Sequence, residues 1–125
     1  CGYTATPEHA NVAKSAMGTE KILQWRTFIN IRDAVTELQE SEITIYALET
    51  TTGAKDIAKV EFKLPAALLV GNERFGLDPE VLQLADEVVS IHRYGIKNSL
   101  NVVSATAIAV HAINLYKTSL PRNTP

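Results

Sequence analysis

One cysteine, one methionine, one tryptophan and three histidines are all that the 125 residues contain of these types. A single thiol, Cys1, excludes an internal disulfide, and three scattered histidines do not reach the ligand spacing of a structural zinc site. No metal is expected, and a reducing compartment is the default for so thiol-poor a chain. An excess of one charge is lacking too. The 12 Lys+Arg stand against 14 Asp+Glu, so the net charge is -2. That balance excludes a bulk electrostatic grip on nucleic acid and leaves only a local basic patch. No apolar run approaches the roughly 18 residues that a membrane span needs. The N-terminal CGYTATPEHA lacks the build of a signal peptide, so a soluble, cytoplasmic protein is expected. The five prolines and six glycines are spread as punctuation and not pooled in a linker, and no repeat or low-complexity stretch appears.

What is present fits one globular domain. Hydrophobic residues make up 46%, which with the small net charge excludes intrinsic disorder. A chain of this length buries roughly two-thirds of its unfolded surface. Residues 1–20 read as a polar surface loop with a helical turn around Val12 to Met17. Asn30 caps a helix, IRDAVTELQES, whose Ile31, Ala34, Val35 and Leu38 repeat at the spacing of one buried face. Ile43 to Leu48 is β-branched and aromatic and runs into the turn TTGA, so it reads as a strand. Ala66 to Val70 is continuously apolar and closed by Gly71, as in a strand covered on both faces. Asp78-Pro79 is a helix start leading into VLQLA, with Asp78 as N-cap. Glu87 to Ile91 is a further strand. Ser99 to Lys117 is a helix apolar almost all round, which predicts burial on every side.

Strands alternating with helices predict an α/β fold with a mostly parallel sheet flanked by helices. Ligands of such sheets sit at the carboxyl ends of strands. The loops after Leu48, Val70 and Ile91 are therefore where a site is expected, and all three are polar and rich in Gly or Thr.

The densest of these is GNERFG, Gly71 to Gly76. A phosphate loop would continue Gly-Lys-Ser/Thr, whereas Gly76 is followed by Leu77 and Asp78, so a P-loop is excluded. No Gly-x-Gly-x-x-Gly turn occurs anywhere. The plain alternative is a glycine-punctuated turn with solvated polar residues; against it stands Glu73, between Asn72 and Arg74 at the mouth of an apolar strand. The loop IHRYGIKNSLN combines His92, Arg93 and Lys97 with Tyr94, a mixture suited to a phosphate backbone and a stacked base. Its plain alternative is a charged surface loop with Tyr94 packed down. Ser99 and Asn101 stand where a helix begins, and there they either cap backbone donors or meet a ligand. His9 and His111 carry no catalytic signal, and Met17 and Trp25 read as packing residues. Ser99 or Ser104 near His92 would need a nucleophile elbow, which is absent.

These segments resemble a known family. LLVGNERFGL followed by ADEVVSIHRYGIKNSLNVVSATAIAV is similar to the second and third motifs, GNExxG and IPxxGxxxSLNVSxA, of the SpoU (TrmH-like) RNA ribose 2′-O-methyltransferases of the SPOUT superfamily. The match is ordered and spaced as in the family from Leu68 to Tyr116. GYTATPEHANVAKSAMGTE also resembles a loop that some members carry before Gly-Ala-Glu.

The resemblance implies an α/β fold whose C-terminal part forms a deep trefoil knot, an exception to the rule that chains do not thread their loops. It implies S-adenosyl-L-methionine as cofactor, its adenine bounded by Leu48, Gly71, Ile91 and Leu100. It further implies transfer of the sulfonium methyl to a ribose 2′-hydroxyl of tRNA or rRNA, and a homodimer packed through the last helix. Site residues carried over are Glu73, Ser99 and Asn101; Arg74, Arg93 and Lys97 are candidates for RNA contact.

The chain also departs from the family pattern. His92 replaces the usual proline, and the usual Val-Ser-x-Ala reads Val102-Val103-Ser104-Ala105. The first motif, an Asn-x-Gly helix ending in an arginine, has no match, Asn11-Val12-Ala13-Lys14 being no substitute. Residues 1–125 are thus expected to be a SPOUT domain lacking its first strand and helix, which family order places upstream of Cys1. The alternatives are a catalytically degenerate knotted module binding cofactor or RNA, and a generic nucleotide-binding α/β domain.

Overall fold

The structure is a computed structural model that describes residues 1–95 and 100–121. It comprises two compact units, Cys1–Glu37 and Leu38–Pro125.

The first unit opens with α1 (Ala10–Ala16), the turn expected near Val12. His9, silent in the sequence, starts this helix: its Nδ1 accepts from Asn11 N at 3.3 Å. Met17 ends it in a left-handed conformation at φ 53°. Its side chain is 89% exposed, so it is a helix stop and not the packing residue expected; Trp25 is also exposed, at 41%. A short 3-10 turn follows at Thr19–Lys21. Helix α2 (Ile31–Glu40) begins as expected, with Asn30 Oδ1 accepting from Arg32 N at 2.9 Å. Ala34 and Val35 are its buried residues.

The second unit is built on a four-stranded parallel sheet of β1 (Thr44–Leu48), β2 (Lys55–Asp56), β3 (Ala66–Val70) and β4 (Glu87–Ser90), in the order β2-β4-β1-β3. The α/β class and the strands β1, β3 and β4 are as expected. Strand β3 is not covered on both faces: its residues are half-buried and Val70 is exposed, because β3 lies at the sheet edge. In the centre, Ile45, Tyr46 and Ala47 are buried. Asp86 sets the register of β4 against β1, its carboxylate accepting from Ile45 N at 2.7 Å while its own N–H donates to Ile45 O at 2.9 Å.

Strand β2 and the 3-10 turn Ile57–Lys59 were not evident in the sequence. They lead to Val60 and Phe62, which join Tyr46, Val89 and Ala109 in the core. Tyr46, Phe62 and Tyr116 stack edge to face in series, with centroids 5.0 and 5.7 Å apart, a geometry favoured by the ring quadrupoles. The Tyr46 hydroxyl accepts from Lys63 N at 2.8 Å, so the buried ring keeps its polar end paired.

Helix α3 (Pro79–Leu82) is a single turn, shorter than the run VLQLA implied. Asp78 stands at its N-cap with no side-chain cap bond; its carbonyl accepts from Val81 and Leu82 N. Helix α4 (Val102–Ser119) carries the largest departure. Its Ala109, Ala112, Ile113 and Tyr116 turn to the core, but Val103, Ile108, Val110 and Leu115 are exposed. Burial on every side does not occur within one chain, because the sheet offers the helix only one surface. No helix among the described residues is long and apolar enough to cross a membrane.

Candidate functional site

Leu48 pairs with both Val70 and Val89, so β1, β3 and β4 end level with one another. Their exit loops therefore converge, and a cavity of about 520 Å³ opens among them within the second unit. Of the expected cofactor-binding residues, Leu48, Gly71, Ile91 and Leu100 all line it. Glu73, Arg74 and Arg93 line it as well. Lys97 and Ser99, the remaining basic and hydroxyl candidates, lie outside the described residues.

The loop Gly71–Gly76 is closed by its own backbone. Asn72 N donates to Gly76 O at 3.2 Å, and Gly76 N returns to Asn72 O at 2.7 Å. Asn72 Oδ1 accepts from Arg74 N at 2.8 Å, the side-chain turn that asparagine favours. Both glycines are structurally required. Gly76 takes φ +69°, and a Cβ on Gly71 would lie 2.5 Å from Gly76 O and 2.6 Å from Leu77 N. Glu73 is carried at the exposed tip, and the Arg74 guanidinium lies 5.3 Å from the centre of the Phe75 ring.

On the opposite wall Arg93 is half-buried, and its Nη2 donates to Thr50 Oγ1 at 2.9 Å. Beside it Tyr94 is 94% exposed, so it is not packed down. The His92 ring meets Tyr94 edge to face at 4.7 Å. Asn101 has a structural task. Its Oδ1 accepts from Val103 N at 2.9 Å and Ser104 N at 3.4 Å, capping α4 and satisfying donors that a helix start leaves open. The cavity wall includes Leu100 and Val102 on either side of it.

One wall residue escaped the sequence reading. Glu49 follows β1 and accepts from Thr50 N through Oε1 at 2.9 Å and from Leu77 N through Oε2 at 3.0 Å. The signal available was an acid one step beyond a parallel strand, where ligand loops begin. Among the described residues no group of three or more His, Cys, Asp or Glu is placed to hold a metal. The cavity is apolar at Leu48, Val70, Ile91 and Leu100, with Glu49, Glu73, Arg74 and Arg93 adding charges of both signs. It suits a ligand with an apolar part and a polar or charged part.

Comparison with known proteins agrees with this arrangement. The model of the SpoU rRNA Methylase family matches residues 2–111. The tRNA (guanosine(18)-2'-O)-methyltransferase of Escherichia coli (strain K12) is 32% identical over 100 residues, covering 80% of this chain and 44% of that protein. Its namesake in Thermus thermophilus is 34% identical over 91 residues, covering 73% and 47%. The chain thus spans about half the length of the curated relatives it matches. The crystal structure of the SpoU methyltransferase AviRb from Streptomyces viridochromogenes, in complex with the cofactor AdoMet, superposes with a TM-score of 0.76 at 27% identity, covering 94% of this chain and 49% of that one. With the family model matching from Gly2 to His111 and the motif loops gathered around one cavity, the chain belongs to the SpoU rRNA Methylase family.

Proposed function

We propose that the full-length protein is an S-adenosyl-L-methionine-dependent RNA methyltransferase acting on a ribose 2′-hydroxyl of tRNA or rRNA. One observation carries this reading: Leu48, Gly71, Ile91 and Leu100, far apart in sequence, line one cavity. Its volume of about 520 Å³ is within the range of small-molecule pockets. The residues fit the cofactor. The apolar wall suits an adenine ring, Gly71 lets the loop backbone close where a Cβ would collide, and the polar wall suits an amino-acid tail. The names of the relatives support the RNA substrate, and the AdoMet complex of AviRb supports the cofactor.

When bound, the cofactor supplies an electrophilic methyl group. The chain's own residues hold and orient. Glu73, at the exposed tip of the Gly71–Gly76 loop, is assigned to ordering the loops around the site on its motif position. Ser99 is assigned to the same site on its motif position. Asn101 fixes the first turn of α4 and with it the Leu100 wall. Arg74 and Arg93 provide the local positive charge that the net charge of -2 does not, Lys97 joins them on sequence grounds, and exposed Tyr94 offers a face for base stacking.

The same reading includes a C-terminal trefoil knot, a homodimer packed through α4, a place in the cytoplasm, and an Asn-x-Gly helix with its arginine encoded before Cys1. The deciding experiment incubates full-length protein with methyl-labelled S-adenosyl-L-methionine and total RNA, then maps the label. Label in 2′-O-methylated nucleosides is the expected result. Cofactor binding with no labelled RNA would favour the degenerate module, and calorimetry showing no cofactor binding would leave the generic nucleotide-binding domain.

A further inference from the structure

The carboxyl end of β1 is bonded to both of its neighbours' exit loops. Glu49 N donates to Val89 O at 3.0 Å, which continues the sheet ladder one residue past the strand and fixes where the side chain starts. From there Oε2 reaches Leu77 N at 3.0 Å, at the end of the loop that follows β3. Gly76 makes room for this contact, since a Cβ there would lie 2.5 Å from Oε2. On the other side Thr50 Oγ1 accepts from Arg93 Nη2 at 2.9 Å, in the loop that follows β4. Glu49, Thr50, Gly76, Leu77 and Arg93 all line the cavity.

We propose that Glu49 is a positioning residue: it latches the Gly71–Leu77 loop in its ligand-receiving shape, while the adjoining Thr50 holds Arg93 to the opposite wall. The chemistry favours a carboxylate because the contacts are two backbone N–H donors, and an ionised acid is acceptor-only. Hydrogen bonds to a charged group are also stronger than neutral ones. The proposal rests on the cofactor-site reading, but its test can be separated from that reading.

Full-length Glu49→Ala and Glu49→Gln proteins are compared with wild type. Loss of a charged hydrogen-bond acceptor predicts that S-adenosyl-L-methionine binds Glu49→Ala about tenfold more weakly by calorimetry. The KM for the cofactor should rise more than kcat at saturating cofactor falls, and Glu49→Gln, which keeps one acceptor oxygen, should recover part of the affinity. Amide hydrogen exchange gives a readout that needs no ligand: Leu77 N–H should exchange about tenfold faster in Glu49→Ala while Ala67 and Leu69, whose N–H groups face β1, stay protected. Unchanged Leu77 exchange would overturn the latch even if no cofactor binds. Faster exchange with wild-type cofactor affinity would overturn the positioning role while leaving the cofactor site standing. A wild-type protein that binds no cofactor would instead count against the proposed function.

Discussion

A Cβ on Gly71 would lie 2.3 Å from the carbonyl carbon of Gly76, inside any allowed contact distance. The loop between them closes against its own backbone, so the obstacle cannot move like the end of a flexible side chain. Gly71→Ala is expected to force the loop open and abolish cofactor binding, with far-ultraviolet circular dichroism unchanged because β3 ends before it. Calorimetry on the folded variant checks this, and wild-type affinity would remove the loop from the pocket.

Core energetics should centre on Phe62, which touches both Tyr46 and Tyr116. Phe62→Ala is expected to cost about 3–5 kcal/mol by urea unfolding, as for other buried aromatics. Tyr46→Phe keeps the ring but strips Lys63 N of its acceptor, and should cost about 1–3 kcal/mol. A null effect would mean that the N–H finds another partner.

Asn101 caps α4, so Asn101→Ala is expected to lose about 1 kcal/mol of stability, recovered by Asn101→Ser or Asn101→Asp. Methyl transfer should fall in Asn101→Ala through displacement of Leu100. If the capping variants restore stability without activity, Asn101 has a direct role at the site as well.

Ile108 and Leu115, seven residues apart on α4, are both exposed, at 44% and 56%. Seven residues make nearly two turns, so they share a face. If that face carries the dimer, Ile108→Lys with Leu115→Lys should halve the mass seen by analytical ultracentrifugation. A wild-type monomer would refute the interface.

Lys55 is held protonated above its ordinary 10.5 by its hydrogen bond to Glu87 and then by that residue's charge. A raised folded-state pKa means that the pair's stabilisation is present below the unfolded value and is lost as pH rises through the folded one. The alkaline limb of a stability–pH curve should therefore flatten in Lys55→Met. The effect should be small, because the pair is solvent-screened.

The sequence by itself determined what neighbours along the chain decide. Apolar periodicity and the Asn30 cap marked α2, the runs ending at Leu48 and Val70 marked β1 and β3, and the order of GNERFG and SLNVVSA pointed to the family. It directed the site to the loops after Leu48, Val70 and Ile91, because parallel strands deliver their loops to one edge, and the family resemblance implied Leu48, Gly71, Ile91 and Leu100 as the cofactor-binding set. What only the tertiary structure decided depends on distant partners. Strand β2 is two residues long, and it is a strand only because β4 offers it a ladder. Val60, Phe62 and Leu64 alternate with Glu61 and Lys63 at a strand-like period of two, but the segment forms no strand, and the burial of Val60 and Phe62 came from Tyr46 and α4. The apolar surround of α4 implied burial that one sheet face cannot provide, since a helix has more sides than the sheet can cover. The bond from Glu49 to Leu77 spans 28 residues of sequence, a contact that no local pattern encodes.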